Sequence, residues 1–171
     1  TKAEMQNFRG AERDLDKAIE LNPRYIQAFN YRGYVRSEQE RYSDAMADYN
    51  MAIALKSDYG AAYANRGRTK RRTKDLEGAI LDFDKAIELD PNQIAALTDR
   101  ALTKSEMLDF SGAIKDMNMA VDLDPEYART YCTRGKIKLK AGDVTGACSD
   151  LKIAQKLGYM VAYTPYKDNC H

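Results

Sequence analysis

Apolar residues recur along this chain in fixed step. Ala11, Ala45, Ala79, Ala113 and Ala147 stand at equal intervals, and Ala18, Ala52, Ala86, Ala120 and Ala154 repeat at the same interval. Leu21, Leu55, Leu89, Leu123 and Leu157 keep that spacing too, and so does the bulky set Leu15, Tyr49, Phe83, Met117 and Leu151. Within one copy, Ala11, Leu15, Ala18 and Leu21 fall at i, i+4, i+7 and i+10, which is one stripe of an α-helix. A period carried through five copies without an insertion predicts stacked supersecondary units.

Each copy also predicts a second helix. Asn22-Pro23, Asp90-Pro91 and Asp124-Pro125 read as an N-cap followed by proline at the first helical position, with Lys56-Ser57 in their place once and Ser57 as its cap. This helix carries Phe29, Tyr63, Leu97 and Tyr131, followed four residues on by the small set Gly33, Gly67, Ala101 and Gly135. Small residues there predict a close helix crossing against the neighbouring helix's alanine. Asn7, Asp75, Asp109 and Asp143 read as caps of the other helix, with Arg41 the exception.

A helix–turn–helix repeating every ~34 residues, with small residues at the crossing and proline opening the copy, resembles the tetratricopeptide repeat family. The resemblance implies an all-α, right-handed superhelical solenoid of antiparallel hairpins. One domain is expected over 1–171: a partial repeat at 1–22, full repeats at 23–56, 57–90, 91–124 and 125–158, and a C-terminal capping segment at 159–171. Arg32, Arg66, Arg100 and Arg134 depart from the family pattern, and Tyr159 stands where a fifth proline would be.

An arginine on a buried seam needs a partner or a route to water. Asp14, Asp48, Asp82, Asp116 and Asp150 recur at the same interval. They predict the ladder Arg32–Asp48, Arg66–Asp82, Arg100–Asp116 and Arg134–Asp150; the alternative joins each arginine to the preceding copy's aspartate, starting at Arg32–Asp14. Residues 1–5 read as the tail of an earlier helix, so Phe8, Leu15 and Ile19 are expected to be partly uncovered, which makes a structural or assembly role, packing against other parts of a longer chain or self-associating through this end, a second reading. Met160 to Asn169 is expected to form a short closing helix, with Ala162, Tyr163 and Tyr166 packing and Pro165 limiting its length.

Composition narrows the chemistry. Lys+Arg at 27 against Asp+Glu at 26 carries no basic excess for nucleic acid, and no apolar run approaches the roughly 20 residues a membrane helix needs. Cys132, Cys148 and Cys170 have no metal-ligand spacing, and the one histidine is His171, which reads either as native or as the start of a purification tag. No phosphate loop, dinucleotide motif or nucleophile elbow occurs, so no enzyme and no cofactor are expected. Cys148 reads as core packing and Cys132 as a core residue within reach of the groove. The compartment stays open: cytoplasmic is favoured, and periplasmic or secreted follows if a leader was removed.

What the resemblance implies for function is a protein or peptide partner held in the groove lined by first helices. Positions that vary between copies are the candidates: Asn30, Tyr31, Tyr34, Asn65, Arg68, Arg72, Asp99, Arg129 and Lys136. Arg66 to Lys74 holds six basic residues in nine, so an acidic segment is the expected ligand. The family's clamp for chaperone tails is not expected, because at its positions only Asn65 fits and Asp99 would repel a carboxylate.

Overall fold

A computed structural model describes residues 2–160, 167, 168 and 170, with side chains from Asn7 onward. All regular structure among them is helical: α1 (Lys2–Leu21), α2 (Ile26–Glu38), α3 (Tyr42–Leu55), α4 (Gly60–Arg72), α5 (Leu76–Leu89), α6 (Ile94–Glu106), α7 (Phe110–Leu123), α8 (Ala128–Lys140) and α9 (Val144–Lys156). Two compact units divide at Pro91 and Asn92, one holding α1–α5 and the other α6–α9. None of these helices is long and apolar enough to cross a membrane.

Hairpins α2/α3 and α4/α5 build the first unit, and α6/α7 and α8/α9 the second. Their cores are the repeating alanines and bulky residues, with Ala45, Ala79, Ala113, Ala147, Phe83, Met117 and Leu151 all fully buried. Gly33 and Gly67 answer the bulky residue of their own hairpin and not an alanine, whereas a Cβ on Gly135 would meet both Leu151 at 3.0 Å and the carbonyl oxygen of the expected Ala147 at 3.2 Å. A Cβ on Gly33 would stand 2.7 Å from the Tyr49 ring, and one on Gly67 2.8 Å from the Phe83 ring. Glycine is therefore required for ring and backbone to meet, which outweighs its helix-propensity cost of about 1 kcal/mol.

The expected caps divide into two groups. Asp75, Asp109 and Asp143 do cap α5, α7 and α9, accepting from the amides of Gly78, Gly112 and Gly146. The Asn-Pro and Asp-Pro pairs do not cap the first helices, which begin after Tyr25, Tyr59, Gln93 and Tyr127 without a side-chain cap. Asn22 and Asp124 instead accept from the amides of Arg24 and Glu126 two residues on, forming turns in which proline supplies the fixed φ. Ser57 likewise lies outside α4, whose cap position is Tyr59.

Asn7 caps nothing, because α1 runs unbroken through it. In later copies the chain reverses through a residue of positive φ, namely Glu40, Lys74, Leu108 and Gly142. For a side-chain-bearing residue that conformation costs roughly 1–2 kcal/mol, offset by packing the two helices it joins.

The arginine ladder forms as the sequence spacing predicts. Arg32, Arg66, Arg100 and Arg134 donate two-pronged to Asp48, Asp82, Asp116 and Asp150 through Nε and Nη2 at 2.6–3.0 Å. The alternative partner Asp14 is not used; a different acceptor of the preceding hairpin is. Arg32 reaches Asp16 at 2.7 Å, Arg66 reaches Asn50 at 2.7 Å and Arg134 reaches Asn118 at 2.8 Å. A second cation completes each aspartate: Arg36, Lys70, Lys104 and Lys138 lie 2.8–2.9 Å from the same four carboxylates. These cations also recur at the repeat interval, a signal present in the sequence but absent from the expected ladder.

Cys148 is not simple core packing: it is joined to Cys170 in a disulfide with Cα atoms 5.6 Å apart. Cys170 and Tyr159 then pack against Tyr131, Cys132, Leu151 and Ala154. The expected closing helix falls largely outside the described residues, including Ala162, Tyr163, Pro165 and Tyr166; within them Met160 is in a 3₁₀ turn, and Lys167 and Asp168 are helical. Phe8, Leu15 and Ile19 are half-buried on α1.

Candidate functional site

The candidate residues lie on first helices, and each unit presents its own set. In the first unit, α2 and α4 sit side by side. Their shared face carries Tyr31 and Tyr34, which are 58% and 41% exposed despite their large rings. Three residues apart on one helix, the two rings share a side.

Beside Tyr34 lies a recess of about 20 Å³ lined also by Ser37, Glu38, Tyr49, Asn65, Arg68, Thr69 and Arg72. That volume suits one water and no side chain, so the recess is a polar floor and not a specificity pocket. Its hydrogen bonds join α2 to α4. Ser37 Oγ and Thr69 Oγ1 are 3.0 Å apart, and Asn65 Nδ2 donates to Asn30 Oδ1 at 2.9 Å. Asn30 is nearly fully buried, so it positions Asn65 and is not itself a contact surface. Burial pushes the Tyr49 hydroxyl up to about 12, even with Thr69 hydrogen-bonded to it and Arg68 and Arg72 near.

Arg72 stands at the rim. Its Nη1 donates to the Ser37 carbonyl at 3.3 Å and its Nη2 lies 2.7 Å from Glu38 Oε1. The basic run therefore divides. Arg66 and Lys70 face Asp82 and belong to the ladder, whereas Arg68 and Arg72 border the recess. Ser37 and Thr69 join this site without having been singled out for it, and Glu38 joins as the variable residue that shares Arg72's place in the repeat. Thr69 carries a partial signal, since its equivalents in the other copies are Val35, Thr103 and Ile137.

In the second unit, Arg129 and Lys136 are exposed on α8, and Asp99 is half-buried on α6. Arg129 and Lys136 bracket Cys132, which is 2% exposed and whose thiol is pushed up by burial against the opposing pull of both cations. Cys132 is thus a core residue, the plainer of its two readings.

Comparison with known proteins agrees with this architecture. Family models described as tetratricopeptide repeats match residues 1–60 and 60–93, together more than half of the chain. No curated protein matches. Among solved structures, MamA is 20% identical, covering 95% of each chain at a TM-score of 0.78. YrrB, described as a TPR protein with an unusual peptide-binding site, is 19% identical over 96% of this chain and 86% of that one, at 0.75. TTC0263 of Thermus thermophilus, a thermophilic TPR protein, is 14% identical over 98% and 92%, at 0.78. At such identities the likeness speaks for the fold, an all-α helical-repeat solenoid. With the repeat models, the regular spacing and the paired helices in agreement, the chain belongs to the tetratricopeptide repeat family.

Proposed function

We propose that this chain is an interaction module that holds an acidic segment of a partner polypeptide against the α2/α4 face. The observation carrying the reading is the exposure of Tyr31 and Tyr34 beside a recess bordered by Arg68 and Arg72. Tyrosine offers large contact area at low entropic cost, and arginine matches a carboxylate with two donors. Tandem repeats of this family serve generally as protein-interaction scaffolds, and the related fold of YrrB is described by its peptide-binding site. On the second unit, Arg129 and Lys136 supply positive charge of the same kind.

Assembly through α1 is the rival, and its chemistry fits less well. Among the described residues, the hollow along α1, about 450 Å³, is lined by Arg9, Glu12, Arg13 and Asp16, all charged, where stacking by hydrophobic burial would call for an apolar surface. Mass that rises with concentration would favour it.

Selection of a random peptide library on the wild type and on Arg68→Gln/Arg72→Gln tests the reading. Glutamine is preferred to glutamate at 72, where a carboxylate would oppose Glu38. Acidic peptides enriched by the wild type and lost with the double variant, at unchanged helicity, support the proposal. Selected peptides without acidic bias would end it.

A further inference from the structure

Among the cations of the basic run, Arg72 is held differently from Arg66 and Lys70. Those two share Asp82, which is 5% exposed, and are themselves only 18% and 19% exposed. Arg72 is 43% exposed, and its carboxylate partner Glu38 is 27% exposed. A partly exposed pair of this kind is weak, because water competes for both charges. The guanidinium nonetheless has a fixed aim, since Nη1 is tied to the Ser37 carbonyl at 3.3 Å and lies 3.4 Å from Ser37 Oγ, both independent of Glu38. Arg72 is therefore a pre-aimed donor with a loosely held carboxylate already upon it.

We propose that Glu38 is a built-in competitor at the α2/α4 face: it occupies Arg72 in the free protein, and the recognised segment is one whose own carboxylate replaces it. This inference rests on the reading under Proposed function. The exchange swaps one carboxylate for another, so no charge is stranded, and Glu38 passes from 27% exposure into water. A neutral segment has no group to make the exchange and leaves Arg72 paired as it is. A basic segment meets Arg68 and Arg72 with like charge. Discrimination against both comes from Arg68 and Arg72, and Glu38 sets how strongly an acidic segment must bind to displace it.

The test is an anisotropy titration at low salt with a fluorescent hexaglutamate peptide, and hexaglutamine as its neutral counterpart. Wild type, Glu38→Gln, Glu38→Ala, Arg72→Gln and Glu38→Gln/Arg72→Gln are compared, each checked for helicity by circular dichroism. Relief of one partly exposed ion pair should tighten hexaglutamate binding by about fivefold in either Glu38 variant. That gain should vanish in the double variant, with hexaglutamine unaffected throughout. Wild-type affinity in both Glu38 variants, alongside weakened binding by Arg72→Gln, overturns the role of Glu38 while leaving the peptide-binding reading intact. Absence of hexaglutamate binding in every protein overturns both.

Discussion

Replacing Asp82 by alanine is the most direct way to measure what the ladder contributes. The carboxylate accepts from Arg66 Nε at 2.9 Å and Nη2 at 2.6 Å, with Lys70 Nζ at 2.9 Å, so one truncation leaves two cations without their anion. Stranding a fully buried charge costs about 3–5 kcal/mol. Arg66 and Lys70 keep 18% and 19% exposure, and Arg66 retains Asn50 and its stacking over the Tyr63 ring at 5.4 Å. Their heads thus have a partial route to water, which places the expected loss at the lower end, about 3 kcal/mol. For a chain of 171 residues this lowers Tm by roughly 6–12 °C. Urea and thermal unfolding followed by far-ultraviolet circular dichroism measure it, with Glu88→Gln as the reference. Glu88 pairs with Lys85 at 2.7 Å, yet both are exposed and the change should cost under about 0.5 kcal/mol. Replacing all three ladder members with apolar residues, Arg66→Met, Lys70→Met and Asp82→Leu, should recover most of the loss. If Asp82→Ala matches Glu88→Gln in stability, the argument from a stranded charge is wrong.

Two further predictions use differences between copies. Ser37→Ala removes a buried hydroxyl pair with Thr69 and should cost about 1 kcal/mol, whereas Ser105→Ala should be neutral or stabilising, because Ser105 Oγ has no partner among the described residues and Ile137 stands where Thr69 would. Equal effects in denaturant titrations would contradict this. Tyr49 favours its neutral form in the fold, so its stabilisation is complete below the ordinary value of 10.0 and is lost as pH rises towards about 12. Tyr59 is also pushed up by burial, so an ultraviolet pH titration should show late tyrosine steps of which one is lost in Tyr49→Phe; an unchanged titration there would assign them all elsewhere.

How much of this was legible in the sequence depended on whether both partners of an interaction recur. Arg66 and Asp82 each repeat at the common interval, so the sequence narrows the partner to the aspartate of the same or the preceding copy, and the structure selects the former. The caps Asp75, Asp109 and Asp143 were legible for the same reason. Asn22-Pro23 misled because an asparagine before proline suits a turn as well as a cap, and only the backbone path separates the two. The unbroken α1 was hidden because at this repeat position the later copies turn, through Glu40, Lys74, Leu108 and Gly142. Glu38 and Arg72 differ in sign at the same repeat position, so comparing copies marked them as variable and gave no hint that they pair across neighbouring hairpins. Cys148 and Cys170 follow no spacing rule, and their approach needs the chain to fold back on α9.

The second acceptors of Arg32, Arg66 and Arg134 give the joints between helices unequal responses to ionic strength. Arg32 crosses to Asp16, an ion pair, while Arg66 and Arg134 cross to the neutral amides Asn50 and Asn118. Mobile ions screen a charge but act little on a dipole, and Asp16, at 44% exposure, is open to them. The α1–α2 joint is therefore salt-responsive where the α3–α4 and α7–α8 joints are salt-indifferent. Stacked repeats couple to their nearest neighbours much as beads do along a line. Rising salt accordingly loosens the first unit from its α1 end.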